Sequence, residues 1–322
     1  MSMMMQAVVL PSVGPPEVLR LTKVARPVPG RGMVLVEVMA TSVSPLDCQE
    51  RAGRVSRFLP GGRPQILGHD VAGIIVAIGE GVQKLPVGTP VVGLRALQSP
   101  GTYAEYVTLS AESVTRKPNR LSFIEAAAIP LSGTIALQAI RDRGRLQSGQ
   151  ALLVNGAAGG IGSLAVQLGK ALGAVVTGVC SGDSAELVRS LGADQVIDFE
   201  KEDLATLTGT FDVVLDTSGQ LTLDGCRKML RPQGRFIPIV PSGRALWDSL
   251  VSRFFGGPQA VPPPLVQPRR ADLELLVELA ETGKLRPVID RVFPLSEVAA
   301  AHHHVEEGRP RGRVILTVGC SP

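Results

Sequence analysis

Ala151-Leu-Leu-Val-Asn-Gly-Ala-Ala-Gly-Gly-Ile-Gly-Ser-Leu-Ala-Val-Gln-Leu-Gly-Lys170 runs from a short apolar strand through a glycine turn into a helix. Gly159, Gly160 and Gly162 let the backbone turn tightly and come close to a ligand. A helix that begins there points unpaired N–H groups and the positive end of its dipole outward, which is how a diphosphate is held. The pattern is Ala157-x-Gly159-x-x-Gly162, with alanine where the dinucleotide fingerprint has its first glycine, so the flanking sequence has to carry the reading. A second apolar strand is expected over residues 174–179, followed by Gln195-Val-Ile-Asp198, Phe211-Asp-Val-Val-Leu-Asp216 and Gly234-Arg-Phe-Ile-Pro-Ile-Val240. Strands alternating with segments of helical length predict an α/β domain with a doubly wound parallel sheet.

A chain of 322 residues exceeds the size at which one core keeps growing, so two domains are expected. Only 3% of residues are aromatic, which leaves few platforms for stacking bases. The net charge of +4 is modest, and Arg51, Arg54, Arg57 and Arg63 read as solvated or anion-facing rather than as a basic stripe; no nucleic-acid partner is expected. Cys48, Cys180, Cys226 and Cys320 are widely spaced and form no C-x-x-C pair, which fits a reducing, cytoplasmic setting without disulfides. The opening Met-Ser-Met-Met-Met lacks a basic flank, and no run reads as long enough to span a membrane, so no membrane partner is expected.

Residues 1–125 hold short β-type runs broken by Gly and Pro, among them Val34–Val38, Val71–Ile78 and Tyr103–Leu109, and suit a compact barrel-like domain. Ser122 and Glu125 form a capping box that opens a helix leading into the nucleotide domain, residues 126–264. The Gly- and Pro-rich stretch 256–264 can continue neither a helix nor a central strand. Beyond it, helices over 271–282 and within 294–307 precede a closing strand, 313–318, and residues 265–322 are expected to rejoin the first domain.

Several ordered segments carry a resemblance: Gly14-Pro-Pro-Glu-Val-Leu19, Ser42-Val-Ser-Pro-Leu-Asp47, Gly68-His-Asp-Val-Ala-Gly73, Gly101-Thr-Tyr-Ala-Glu-Tyr106, Gly156-Ala-Ala-Gly-Gly-Ile-Gly162, Leu191-Gly-Ala-Asp194 and Gly283-Lys-Leu-Arg-Pro-Val288. The chain resembles the medium-chain dehydrogenase/reductase superfamily, and within it the zinc-independent quinone oxidoreductase group. The resemblance implies a GroES-like β-barrel catalytic domain, a Rossmann domain, a cleft between them and a homodimer. It also implies an enzyme that reduces a quinone or an activated alkene with NADPH.

Alcohol dehydrogenases of the superfamily hold zinc with a cysteine, a histidine and a second cysteine or acid, because a Lewis acid must polarise an alkoxide. In this chain the cysteine position is Ser44 and the last ligand falls near Pro130, leaving His69 alone, so no metal is expected. The set Cys48, His69 and Asp70 departs from the family spacing. His302-His-His304 are consecutive helix positions about 100° apart and read as a solvated helix end.

The end of the second strand carries Cys180-Ser181-Gly182 where NAD enzymes place an acid on the ribose 2′-hydroxyl. Without a carboxylate there, NADP(H) is favoured over NAD(H), although no Lys or Arg occupies residues 180–185, Arg189 is a turn away and Phe199 stands where relatives often use tyrosine. By family likeness, Ser44, Asp47 and Thr134 lie near the nicotinamide, Gly159, Gly160 and Ile161 at the diphosphate, and Cys180 and Ser181 at the ribose. Ser218, Ile239 and Val240 follow at strand ends, the last two also readable as core packing, and Arg313 reads either as reaching in from the tail or as a surface arginine. Ser44, Asp47 and His69 are the catalytic candidates, with Tyr103 and Tyr106 read as structural and no obligatory protein acid expected. Two other readings stay open. One is an enoyl-thioester reductase whose arginines at 51–63 meet an acyl-carrier or coenzyme phosphate. The other is an NADPH-binding structural or regulatory protein without turnover.

Overall fold

The computed structural model describes residues 3–54, 65–96, 99, 101–252, 257–262, 266–308 and 310–319; Arg57, Arg63 and Cys320 lie outside them. Two compact units emerge, one from Met1–Leu131 with Gln267–Pro322 and one from Ser132–Val266. The first join falls at residue 131 rather than 125. Ala126, Ala127 and Ala128 pack with Ala40, Ala72, Val92 and Ile315 of the first unit, so the capped helix belongs to that unit.

In chain order the first unit begins with β1 (Met4–Val9), β2 (Arg20–Ala25), β3 (Met33–Val43), α1 (Pro45–Arg51), β4 (Asp70–Ile78), β5 (Pro90–Leu94), β6 (Tyr106–Ser110), β7 (Val114–Arg116) and α2 (Phe123–Ala126). Ser122 caps α2 by accepting from the Glu125 amide while the Glu125 carboxylate accepts from the Ser122 amide, the box read from the sequence. The second unit holds α3 (Pro130–Leu137, entering from the join), β8 (Ala151–Asn155), α4 (Gly160–Ala171), β9 (Val175–Cys180), α5 (Ala185–Ser190), β10 (Gln195–Asp198), β11 (Phe211–Asp216), α6 (Leu223–Cys226), β12 (Leu230–Pro238), α7 (Gly243–Val251) and β13 (Gln259–Ala260). The tail adds α8 (Arg270–Glu281), β14 (Ile289–Pro294), α9 (Val298–Glu307) and β15 (Arg313–Thr317).

The second unit carries one sheet in the order β10-β9-β8-β11-β12-β13 with every pair parallel, the doubly wound arrangement. The order reverses at β8, whose carboxyl end runs into the glycine turn, and ligands of open α/β sheets bind at such a switch point. Among its described residues, 257–262, the Gly/Pro stretch contributes the two-residue edge strand β13.

The first unit holds a sheet in the order β14-β15-β3-β4-β5-β7, with β6 also pairing β3 and a separate β1–β2 ribbon. Strand β15 pairs antiparallel with β3, Val314 opposite Val43, and this is how the tail completes the first unit. Side chains alternate across β15: Val314 and Leu316 enter one apolar cluster and Ile315 the other. In β3, Val34, Val36 and Val38 face the first cluster, and a bulge between Val38 and Ala40 turns Ala40 to the second.

Residues Phe123–Arg143 form a helical run that, contrary to the sequence reading, is long and apolar enough to cross a membrane, with hydropathy 1.5; 83% of its apolar window is buried inside the protein. Burial in the protein already satisfies this apolar surface.

Gly73 lies opposite the bulge, and a Cβ there would stand 2.0 Å from the Glu37 carbonyl oxygen. Gly73→Ala is therefore expected to lower the unfolding free energy by about 2 kcal/mol or more, measured by denaturant titration. An unchanged midpoint would show that β3 and β4 can separate freely.

Candidate active site

The glycine turn is built by close approach. Gly156 has φ +80°, its carbonyl accepts from Gly159 N, and a Cβ on Gly162 would stand 2.1 Å from that same carbonyl oxygen. Gly159 is the N-cap of α4 and supplies no side-chain cap. The amides of Gly160, Ile161 and Gly162 come before Ser163 N, the first to find a helical acceptor in the Gly159 carbonyl, and form a row of donors at the positive end of a 12-residue helix. Gly160 and Ile161 are partly exposed, so an anion can reach their amides, while Gly162 is buried against the turn.

Next to the turn, Cys180 and Ser181 end β9. The sequence reading found no carboxylate at this strand end, and the structure corrects it: Asp198 on β10 pairs in register with Cys180. A Cβ on Gly182 would lie 2.6 Å from Asp198 Oδ2 and 3.6 Å from Lys201 Nζ. Lys201 donates to that carboxylate across 3.0 Å and holds its pKa below the usual carboxylate range. The strand end thus carries a neutralised acid and an exposed cation, neither visible from residues 180–185.

At the end of β11, Asp216 is fully buried and organises the following loop. Its Oδ1 accepts from Ser218 Oγ at 2.8 Å and Asn155 Nδ2 at 2.9 Å, and its Oδ2 from Leu221 N at 3.0 Å. The Ser218 hydroxyl is therefore committed to the loop. Ile239 N donates to the Asp216 carbonyl, which fixes the exit of β12 where partly buried Ile239 and exposed Val240 follow. On α3, the hydroxyls of Ser132 and Thr134 are buried and have no partner among the described residues. An unpaired buried hydroxyl costs about 1–3 kcal/mol, so a polar ligand fits this position.

In the first unit, Ser44, Asp47 and His69 come together in a buried network. Ser44 caps α1: its hydroxyl accepts from Asp47 N, and its own amide donates to Asp47 Oδ2 at 2.8 Å. Asp47 Oδ1 accepts from Gly68 N at 3.1 Å and His69 Nδ1 at 3.0 Å. Burial alone would raise the Asp47 pKa, but His69 and these donors hold it well below the carboxylate range. Glu50 Oε1 lies 3.3 Å from His69 Nε2, and Arg95 Nη2 stands 2.9 Å from that nitrogen and 3.3 Å from Glu50 Oε2. Burial and Arg95 oppose protonation of His69, yet Asp47 and Glu50 raise its pKa to about 9. Two carboxylates, one guanidinium and one imidazolium then sum to zero charge in a dry interior. The ligand atoms of Asp47, Glu50 and His69 lie within 4.8 Å of one another, a metal-capable grouping that the sequence reading missed because it weighed Cys48 and Asp70 instead.

The family descriptions that match are an alcohol dehydrogenase GroES-like domain over residues 30–119 and a zinc-binding dehydrogenase over residues 191–316. A chloroplast envelope quinone oxidoreductase homolog of Arabidopsis thaliana is 32% identical over 299 residues, 90% of this chain and 91% of that protein. An NADPH-dependent alkenal/one oxidoreductase, also from A. thaliana, is 32% identical over 97% of this chain and 79% of that protein. The solved quinone oxidoreductase of Coxiella burnetii superposes with a TM-score of 0.84 at 31% identity, covering 98% of this chain and all of that one. The chain belongs to the medium-chain dehydrogenase/reductase superfamily. Relatives there are named oxidoreductases, quinone oxidoreductases among them, and a nicotinamide cofactor belongs to this enzyme family.

Against that superfamily pattern, five side chains, Arg313, Asp70, Cys48, His302 and Arg51, take places the sequence did not suggest. Arg313 is neither a surface arginine nor free for a cofactor: it is 5% exposed and its Nη2 lies 2.6 Å from Asp70 Oδ2. Asp70 also accepts from Ser42 Oγ and Leu131 N, so it is unavailable as a metal ligand beside His69. Cys48 turns away as well, with Sγ 3.4 Å from His302 Nδ1, while Tyr103 Oη lies 3.3 Å from His302 Nε2. His302 is thus a core residue, and only His303 and His304 point to partners nearer the surface, because consecutive helical side chains diverge. Burial lowers the His302 pKa to about 4 and keeps it neutral. Arg51 is buried and paired with Glu306, not solvated or anion-facing.

Because His69 holds its proton to about pH 9 when folded, against 6.5 for a free imidazole, its contribution to stability is full below pH 6.5 and is lost as pH rises through 9. Thermal unfolding of the wild type is expected to weaken across this window, and His69→Gln to flatten that slope. A wild-type midpoint independent of pH from 6.5 to 9 would place a neutral imidazole in the network.

Proposed function

We propose that this oxidoreductase uses NADPH to reduce a quinone or an activated alkene, such as an enone, without zinc. The observation that carries the reading is the Gly156–Gly162 turn, whose close approach leaves the helix-end amides of Gly160 and Ile161 open to a diphosphate. The bound nicotinamide supplies the hydride. The chain's part is to fix the diphosphate at α4, to present polar groups such as Thr134 to the cofactor, and to keep the substrate stacked and dry.

The preference for NADPH rests on Lys201 and Ser181. Asp198 faces the same strand end, but Lys201 neutralises it and leaves donors for a 2′-phosphate. The case against zinc rests on the cation already present. Arg95 stands against both Glu50 and His69, where a divalent ion would meet its charge, and Ser44 offers a hydroxyl engaged with Asp47 in place of a thiolate. Tyr103 is buried against His302 and Tyr106 donates to Glu37, so neither phenol serves as the acid, and the proton comes from solvent. The same reading makes the protein a cytoplasmic homodimer. The free thiols of Cys48, Cys180 and Cys226 suit a reducing compartment, and edge strand β13 offers a second copy an unpaired backbone.

Initial rates of NADPH and NADH oxidation with benzoquinones, alkenals and a crotonyl thioester test the proposal. Turnover is expected with the first two classes under NADPH and is expected to survive chelation. Fastest turnover on the thioester would assign an enoyl-thioester reductase, and binding without turnover a regulatory protein. Lys201→Glu is expected to raise KM for NADPH by roughly tenfold while leaving that for NADH little changed; equal effects on both would remove Lys201 from the ribose site.

A further inference from the structure

The amino ends of the parallel strands carry a second concentration of unusual features. Helix α3 continues into a π turn, Gln138–Arg143, in which Gly144 N bonds the Ala139 carbonyl at 2.7 Å. π turns are rare and occur often at functional sites. Arg145 follows with φ +53°, the single non-glycine residue at positive φ among those described. That conformation costs an ordinary side chain about 1 kcal/mol, which a glycine would avoid.

These strained residues edge a cavity of about 440 Å³ lined by Asp142, Arg143, Arg145, Arg235 and Gln259, among others. An adjoining recess of about 700 Å³ shares Arg145, Arg235 and Gln259 and adds Arg231. Its position follows from the sheet register: Arg235 of β12 pairs with Val213 and Gln259, and Val213 with Leu152, residues near the amino ends of β11, β13 and β8. The glycine turn leaves the other end of β8, five residues on, about 15 Å away at strand rise.

Both carboxylates here are already engaged. Asp142 pairs with Arg141 at 2.6 Å, and Asp212 accepts from Ala151 N at 2.9 Å and pairs with Arg231 at 3.2 Å. The guanidinium groups of Arg143 and Arg145 show no partner among the described residues, and Arg235 donates only to the Arg143 carbonyl, at 3.0 Å. Burial, and then the charge of Arg145, lower the Arg235 pKa. Three like charges are thus gathered on a strained backbone without a counter-anion. We propose that this cavity is a second anion site, separate from the cofactor crevice, for a small multiply charged phosphate such as a phosphate ester or diphosphate. Planar guanidinium forks match phosphate oxygens two at a time, and the volume suits a small metabolite rather than a polymer.

Calorimetric titration of the full chain with inorganic pyrophosphate, without and with saturating reduced nicotinamide cofactor, tests this. Binding is expected in both conditions, and to be weakened roughly tenfold by Arg145→Gly and by Arg235→Gln. Arg145→Gly suits the positive φ, so its melting midpoint without anion is expected to match or exceed the wild type, which separates lost binding from lost folding. Absence of pyrophosphate binding at millimolar concentration would overturn the proposal. So would binding that is abolished by the cofactor but indifferent to the arginine variants, which would place the anion at the glycine turn. Neither result depends on which acceptor the enzyme reduces.

Discussion

The second unit is organised by a steric fact: the Gly156 carbonyl and the Gly162 Cα pack so closely that no Cβ fits between them. That approach lets β8 turn into α4 within a few residues. It also sets the helix end, with its unpaired amides, at the point where the strand order reverses. The other strands of that sheet deliver their carboxyl ends to the same edge, with Cys180, Asp216 and Pro238 as their last residues. A side chain in the turn would cost binding and packing together, since the same contact serves both.

The first unit answers a different demand, that of charges held away from water. Asp47, Glu50, His69 and Arg95 cancel, and Asp70 cancels against Arg313. Breaking one member of such a set strands its partner without solvation, which is far costlier than losing a surface pair. The Asp70–Arg313 pair also joins β4 to the tail strand β15, so electrostatic and topological closure of this unit coincide. Ser44 and Asp47 sit in this network because a capping box needs those residue types three apart, whatever part they play in catalysis.

Local signals carried the legible part of the sequence. The strands over 195–198 and 211–216 stand where apolar runs end at turns, and the Ser122–Glu125 box opens its helix as read. The features that stayed hidden are made by pairing between distant segments. Asp198 and Lys201 reach Gly182 only through the β9–β10 register, and Arg95 reaches Glu50 across 45 residues. His302 looked solvated because three consecutive histidines resemble a polar helix end, yet one of any three must turn inward on a helix with a buried face. The cluster at Arg143, Arg145 and Arg235 was invisible for a related reason: a π turn and a positive φ leave no clear mark in the sequence.

Amide hydrogen exchange with and without NADPH addresses the central claim most directly. The account predicts that the cofactor slows exchange at Gly160 and Ile161, the donors left open by the glycine turn, along with the backbone at 180–182. Saturating NADPH that leaves these amides exchanging at their free rate, while protecting some other segment, would contradict it.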